Sequence, residues 1–476
     1  MPLIAQRSLR RYIVLLFIVA IVLYYLVFSR HSTSPSPSAT DNLVSERPNL
    51  ASEYVKPEQH DSGQLETTLH VDRALLQQRE REARRRQIDL KYCGRDRCQF
   101  VLPIAITEQE SKAQEHFRHL AFLSGALDRT IVLPNVHSSH LGACRHFPFS
   151  FYYDNAWLDN NRRFFRYITM DDFRDWISER REINTIPTSR ELTIDINPNF
   201  KFLDNANNCF KDLLDYSSYP PTHFTLEDPE MFSKRVGNYT EILLEAFQQD
   251  QEDVDVISLF YDRRFGYIEH PEVEIPLSYN NRWEQLADQI AEQLHSFVAI
   301  HWRMERLEAL DNLVPCAESL VRKIHEIESS HQQPIKVFLL TDYPHLLRTS
   351  KATPESMSFK LNELQEQHHD AIQYLYQHVD VTVTTLQRKN QPVPYDELPA
   401  KNWNVITVPP YAKPADPSVL GIVDKLVAMR AQYFLAGEPG VCAKSSSFTK
   451  RIMLEREAAF NAGNPQIVVP VDTFSL

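Results

Sequence analysis

From residue 100 onward the chain alternates short apolar runs with stretches whose apolar residues recur at helical spacing. That alternation predicts a layered α/β body. Phe100 to Ile106 predicts a first strand. Glu110 to Leu127 predicts the helix after it, with Ala113, Phe117, Leu120, Ala121, Ser124 and Leu127 on one face. Asp128-Arg129-Thr130 turns into a second strand, Ile131 to Pro134, and Val254 to Phe260 predicts another near the end of the first half. The second half repeats the pattern more cleanly. Strands are predicted at Phe297 to Trp302, Val337 to Leu340, Val379 to Val383 and Val405 to Val408, with helical stretches near 316–330, 356–376 and 417–435 between them. This order predicts two doubly wound parallel sheets with a cleft between them.

A different pattern precedes the body. Tyr12 to Phe28 is free of charge, follows Arg7, Arg10 and Arg11, and is long enough to cross a thin bilayer as a helix. The arginines predict a cytosolic tail over residues 1–11, an anchor over 12–28 and a luminal remainder. Tyr24, Tyr25, Val27 and Phe28 offer no small-residue cleavage site, which argues against a cleaved signal peptide. So short a span suits the membranes of the early secretory pathway. Golgi residence is therefore the expectation, with the endoplasmic reticulum left open. Ser32 to Thr40 reads STSPSPSAT, and polar composition continues to about residue 90, so 29–92 is expected to be a stem. Leu65, Leu69, Leu75 and Leu76 leave a dimerising coiled coil open, but Gln78 to Arg86 (QREREARRR) favours a solvated helix. The body then divides into an acceptor-side domain, 93–283, and a nucleotide-binding domain, 284–476.

Charge narrows the partners. The first 100 residues carry 15 basic against 11 acidic side chains, which leaves −16 of the total −12 on the rest. A body so acidic is a poor binder of nucleic acid. Six cysteines (Cys93, Cys98, Cys144, Cys209, Cys316, Cys442) in an oxidising compartment predict three disulfides among 15 connectivities, and their spacing does not suit zinc. Asn238-Tyr239-Thr240 is a glycosylation sequon. With only 10 glycines, the chain has no GxGxxG fingerprint and no P-loop. The missing P-loop also disfavours a sulfotransferase. Asp253-Val254-Asp255 imitates a metal-binding carboxylate pair, but it precedes its apolar run and reads better as a solvated strand entry.

Three segments carry candidate chemistry. At the end of the strand Phe297 to Trp302, side chains alternate, so His301, Arg303 and Glu305 share one face. Open α/β sheets bind ligands at that edge, where Arg303 could fork onto a diphosphate or pair with a structural carboxylate. Lys444 to Thr449 supplies hydroxyls at the start of a helical run, Lys450 to Arg456. Such a start is a phosphate seat without glycines, or an ordinary serine cap. Asp342, after Val337 to Leu340 and Thr341, could bind a nucleoside or cap a helix.

His301-Trp302-Arg303, Thr341-Asp342 and Ser446-Ser447-Phe448-Thr449, in this order, resemble the H-x-R, T-D and S-S-F-[ST] motifs of the GDP-fucose-dependent O-fucosyltransferase superfamily. Glu455-Arg456-Glu457, Asp424-Lys425-Leu426 to Gln432-Tyr433-Phe434, and Glu115-His116-Phe117 through Leu127-Asp128-Arg129-Thr130 to Pro134 extend the resemblance over about 100–460. It implies a GT-B type glycosyltransferase that takes fucose from GDP-fucose to a glycoprotein or polysaccharide hydroxyl, inverts the anomeric centre and needs no metal. Arg303 would stabilise the diphosphate, Ser446, Ser447 and Phe448 would seat the phosphates, and Asp342 the nucleoside. The family's Gly-rich first loop is replaced here by Glu108-Gln109-Glu110-Ser111-Lys112, so Glu108 stands where some members place a catalytic glutamate, with Glu110 the fallback. That departure keeps a catalytically inactive luminal glycan- or nucleotide-binding protein in view, as well as a transferase using another sugar nucleotide.

Overall fold

The computed structural model describes residues 62–195, 207–225, 243–245, 247–248, 254–261, 268, 270–331, 334–343, 359, 361–386, 404–410 and 416–476. The expected tail, anchor and sequon Asn238 lie outside the described residues, as does Asp253. Among the described residues no helix is long and apolar enough to cross a membrane.

Helix α1 (Ser62–Cys93) leads into the body, with Leu75 and Leu76 exposed. Its last turns are not a free stalk. Asp89 is fully buried and accepts from Trp176 Nε1 at 2.8 Å and Arg180 Nη1 at 3.0 Å. Cys93 closes on Cys98, and Ile88 and Tyr92 pack against the core around Phe100 and Trp176.

The first sheet is built from β1 (Phe100–Ile106), β2 (Thr130–Val132), β3 (Val136–His137), β4 (His140–Leu141), β5 (Arg166–Ile168), β6 (Ser189–Asp195), β7 (Thr222–Thr225) and β8 (Val256–Tyr261). Its parallel strands run β5-β2-β1-β8-β6-β7, and the β3–β4 hairpin adds antiparallel pairing at the end of β1. Every residue of β1 is buried, which is why it reads as an unbroken apolar run. Pro103 lacks the N–H the ladder requires, and the β1–β8 register shifts beside it. Helix α2 (Glu110–Ala126) follows β1 and ends at a turn in which Asp128 takes a φ of 55°. Helices α3 (Ala156–Asn160) and α4 (Met170–Glu182) flank β5, and α5 (Pro271–Glu274) follows β8. Asp255 is buried rather than solvated. It accepts from Arg97 Nε at 3.0 Å and Thr188 N at 3.2 Å, and is a strand-entry ion pair.

The second sheet is wholly parallel, in the order β12-β11-β10-β9-β13-β14. It comprises β9 (Phe297–Trp302), β10 (Lys336–Thr341), β11 (Val381–Leu386), β12 (Asn404–Val408), β13 (Tyr433–Gly437) and β14 (Val469–Phe474). Its helices are α6 (Asn281–Leu294), α7 (Leu313–Ser329), α8 (Glu366–His378), α9 (Ser418–Met429) and α10 (Ser447–Asn461). Two sequence expectations need correcting. The stretch 417–435 is not one helix: it ends at Met429 and Tyr433 opens β13. A buried strand shows no alternation, so its apolar run merges with the helix before it. Of the stretch 356–376, the described residues form a short turn at Leu361–Glu363 and an α-helix from Glu366.

One apolar core joins the two halves, running from Phe117 and Tyr153 through Trp283 to Phe297, Phe338 and Phe434. The remaining disulfides are Cys144–Cys209 and Cys316–Cys442.

Candidate active site

Strand order reverses between β9 and β13, with β10 to β12 winding away on one side and β14 on the other. A crevice opens at such a switch point, beyond the carboxyl ends of the two strands. Both loops bordering it carry candidate chemistry. Arg303 follows β9, and Lys444 to Thr449 follows β13.

The loops are tied together before any ligand arrives. Lys444 N donates to Arg303 O at 3.0 Å, and Arg303 Nη1 donates to Ser445 O at 3.1 Å. Arg303 Nη2 pairs with Glu305, a residue 2% exposed whose Oε2 has no hydrogen-bond partner among the described residues. Burial lowers the Arg303 pKa from its ordinary value, while Asp342 opposes that shift. The guanidinium stays charged and held.

His301 is buried, and its Nδ1 lies 2.7 Å from Thr449 Oγ1. Its ring stacks on Phe448 at 5.0 Å. Burial, aided by the charge of Arg303, drops its pKa to about 3, so the ring is neutral at physiological pH. Ser446 caps α10, its hydroxyl accepting from Thr449 N at 3.3 Å. The N–H groups of Ser447 and Phe448 belong to that first turn, where an α-helix offers them no partner of its own. Arg456 fixes the far half of α10. It is wholly buried and donates to the carbonyls of Ala428, Ala431, Val469 and Pro470.

Asp342 turns back toward the loop after β9. It is 7% exposed, and its oxygens accept from Met304 N at 2.9 Å and Glu305 N at 3.0 Å. It holds the loop that carries Arg303. Burial raises its pKa to about 6 despite the N–H of Met304.

On the first sheet, Glu108 sits just past β1 with a φ of 72°, a left-handed conformation that a non-glycine residue takes at a cost. His140 Nδ1 lies 3.0 Å from its carbonyl oxygen, and burial lowers the His140 pKa, so the neutral ring donates there. Glu110 is a different case. It is 6% exposed, and its Oε1 accepts from Tyr153 OH at 2.9 Å, Tyr279 OH at 3.0 Å and Gln114 Nε2 at 3.1 Å. Its Oε2 pairs with Lys425 Nζ at 2.7 Å. Burial pushes its pKa up, but Lys425 and these donors outweigh burial and hold it below the ordinary value. A carboxylate so saturated is a poor proton acceptor, which corrects the fallback assignment of Glu110 as base.

The arrangement suits a leaving diphosphate: one fixed guanidinium facing a helix start. Among the described residues no group of three His, Cys, Asp or Glu side chains could hold a metal.

Comparison with known proteins decides the class. Residues 112–459 match the model of the GDP-fucose protein O-fucosyltransferase family. The chain belongs to that family. It is accordingly a glycosyltransferase of the fucosyltransferase class. Solved structures similar to this O-fucosyltransferase family member include POFUT1 in complex with GDP, at 14% identity and a TM-score of 0.44, covering 79% of this chain and 99% of that one. POFUT1 with GDP-fucose is similar at 14% identity and a TM-score of 0.42, over 79% and 96%. NodZ from Bradyrhizobium is similar at 14% identity and a TM-score of 0.34, over 75% and 92%. No curated protein matches.

Within this family member the structure brings His301, Arg303, Glu305, Asp342 and Ser446 to Thr449 together at the carboxyl ends of β9, β10 and β13, and places Glu108 just past β1. Sequence reasoning missed Lys425 and its partner Tyr279, and Tyr153 on Glu110. A signal was present: Lys425 stands in an otherwise apolar helix, Ser418 to Met429, where the neighbouring Asp424 is its one charged companion.

Proposed function

We propose that this protein is a type II, Golgi-resident enzyme that transfers fucose from GDP-fucose to a hydroxyl of a protein or glycan, with inversion and without an essential metal. The observation that carries the reading is the anchored guanidinium of Arg303, set against the start of α10 at the switch point of the second sheet.

In this mechanism the acceptor oxygen attacks the anomeric carbon from the side opposite the diphosphate. The bond from that carbon to the phosphate oxygen breaks, and GDP leaves with the electron pair. Arg303 and the N–H groups of Ser447 and Phe448 stabilise the charge that grows on the diphosphate. Glu108 takes the acceptor proton. Its strained backbone, fixed by His140, gives the carboxylate a constant starting point. Asp342 acts through the loop it holds, and neutral His301 acts through Phe448 and Thr449. The type II orientation rests on the three arginines ahead of Tyr12 to Phe28.

Calorimetry on the full chain in detergent with EDTA, against GDP, GDP-fucose and UDP sugars, tests the donor. Binding of the two guanosine compounds alone supports the reading, and failure of both overturns it.

A further inference from the structure

Lys425 lies on α9 and is 1% exposed. All three of its N–H groups are used. They reach Glu110 Oε2 at 2.7 Å, Ser111 Oγ at 2.8 Å and Tyr279 OH at 2.7 Å. Two of these partners open α2, the helix that follows the Glu108 turn. On its other side the ammonium lies 5.0 Å from the centre of the Phe448 ring. Phe448 belongs to the first turn of α10 and stacks on His301. One buried cation therefore touches the donor-side helix start through a ring face and the start of α2 through two hydrogen bonds, with a third to Tyr279.

Stability does not require this arrangement. Two buried charges must both be desolvated, and a well-packed apolar pair of similar size is often as stable or more so. What the ion pair provides is a fixed register between two helices that no strand connects. Arg451, on α10 with Phe448, adds a further tie, its Nη2 donating to Leu277 O at 3.2 Å.

We infer that Lys425 and Glu110 form a buried latch that couples occupancy of the donor crevice to the conformation of the Glu108 turn. Lys425 is a positioning residue: it reaches neither donor nor acceptor, and acts through Phe448 on one side and Ser111 and Glu110 on the other. Displacement of the Phe448 ring alters the attraction between its face and the ammonium. The ammonium cannot move without straining its hydrogen bonds to the start of α2. By reciprocity, ordering the Glu108 turn tightens donor binding. The inference rests on the donor reading above.

Hydrogen–deuterium exchange on the full chain, with and without GDP, tests it. In wild type, GDP should slow exchange at both 445–449 and 107–112, the second by about fivefold. In the double variant K425M/E110L, which removes both charges together, protection at 445–449 should persist and that at 107–112 should vanish. Retained protection at 107–112 in the double variant overturns the latch, as does a wild type in which GDP protects 445–449 alone. If GDP protects neither segment in wild type, the donor reading fails and the latch falls with it. Tyr279→Phe is the second variant, because it deletes the hydroxyl shared by Lys425 and Glu110 and leaves the ring in place. It should cut the protection at 107–112 at least twofold, and an unchanged value there also refutes the coupling.

Discussion

Replacing Asp342 with asparagine puts the account of the Arg303 loop to a quantitative test. The Asp342 carboxyl has a pKa of about 6 in the folded chain against a reference of 3.8, chiefly because burial disfavours its charge. The folded protein thus binds this proton more tightly than the unfolded chain does. Stability rises as pH falls through 6, and the gain is complete below 3.8. The whole gain is about 3 kcal/mol, of which nearly half accrues between pH 7.5 and pH 5. Asparagine is neutral throughout, so subtracting the D342N profile from that of wild type isolates this one carboxyl. Urea unfolding at half-unit pH steps gives both profiles. On acidification from pH 7.5 to pH 5, wild type should gain roughly 1 kcal/mol relative to the variant. A flat difference would refute the claim that a desolvated carboxylate holds this loop. The amide should also slow transfer at pH 7.5, because it presents one acceptor where two N–H groups need one each.

Arg303→Lys keeps the charge but loses the fork that meets Ser445 and Glu305, so kcat should fall at least about a hundredfold with an unchanged melting temperature. A fall under tenfold would remove the guanidinium from the mechanism. Glu108→Gln should lower kcat by about 10² or more while GDP binding stays within twofold by calorimetry, and full turnover would place the base elsewhere. Asp89→Ala leaves Arg180 buried without its close carboxylate and should destabilise the body by about 3–5 kcal/mol, read by urea unfolding. A loss below about 1 kcal/mol would mean that the end of α1 is not docked in solution.

The second sheet was legible because its strands are short apolar runs cut by polar turns. Phe297 to Trp302 could be placed to the residue, and the three motif segments do lie at the same edge of one sheet. Where elements touch without a polar break, the pattern failed. Tyr433 to Gly437 was absorbed into the helix before it, since a strand buried on both faces shows no period. Long-range polar pairing was equally invisible. Nothing near Asp342 says that its carboxylate turns back to Met304 and Glu305. Glu110 reads as a helix-start carboxylate until Lys425, more than 300 positions later, is set beside it. Local pattern fixes which residues face inward, but not which partner waits there.

The switch point between β9 and β13 also bears on how such an enzyme changes over time. The donor-side groups hang from two neighbouring strands whose mutual position is clamped twice, by Trp302 donating to the carbonyl of Cys442 at 2.9 Å and by the disulfide from Cys442 to Cys316. The wing formed by β10, β11 and β12 winds outward from that clamp. Of its three strands only β10 pairs with β9 and none pairs with β13, so β11 and β12 can vary without disturbing the register of β9 on β13. A lineage built on this chain could therefore remodel its outer strands while the loops after β9 and β13 kept their mutual position.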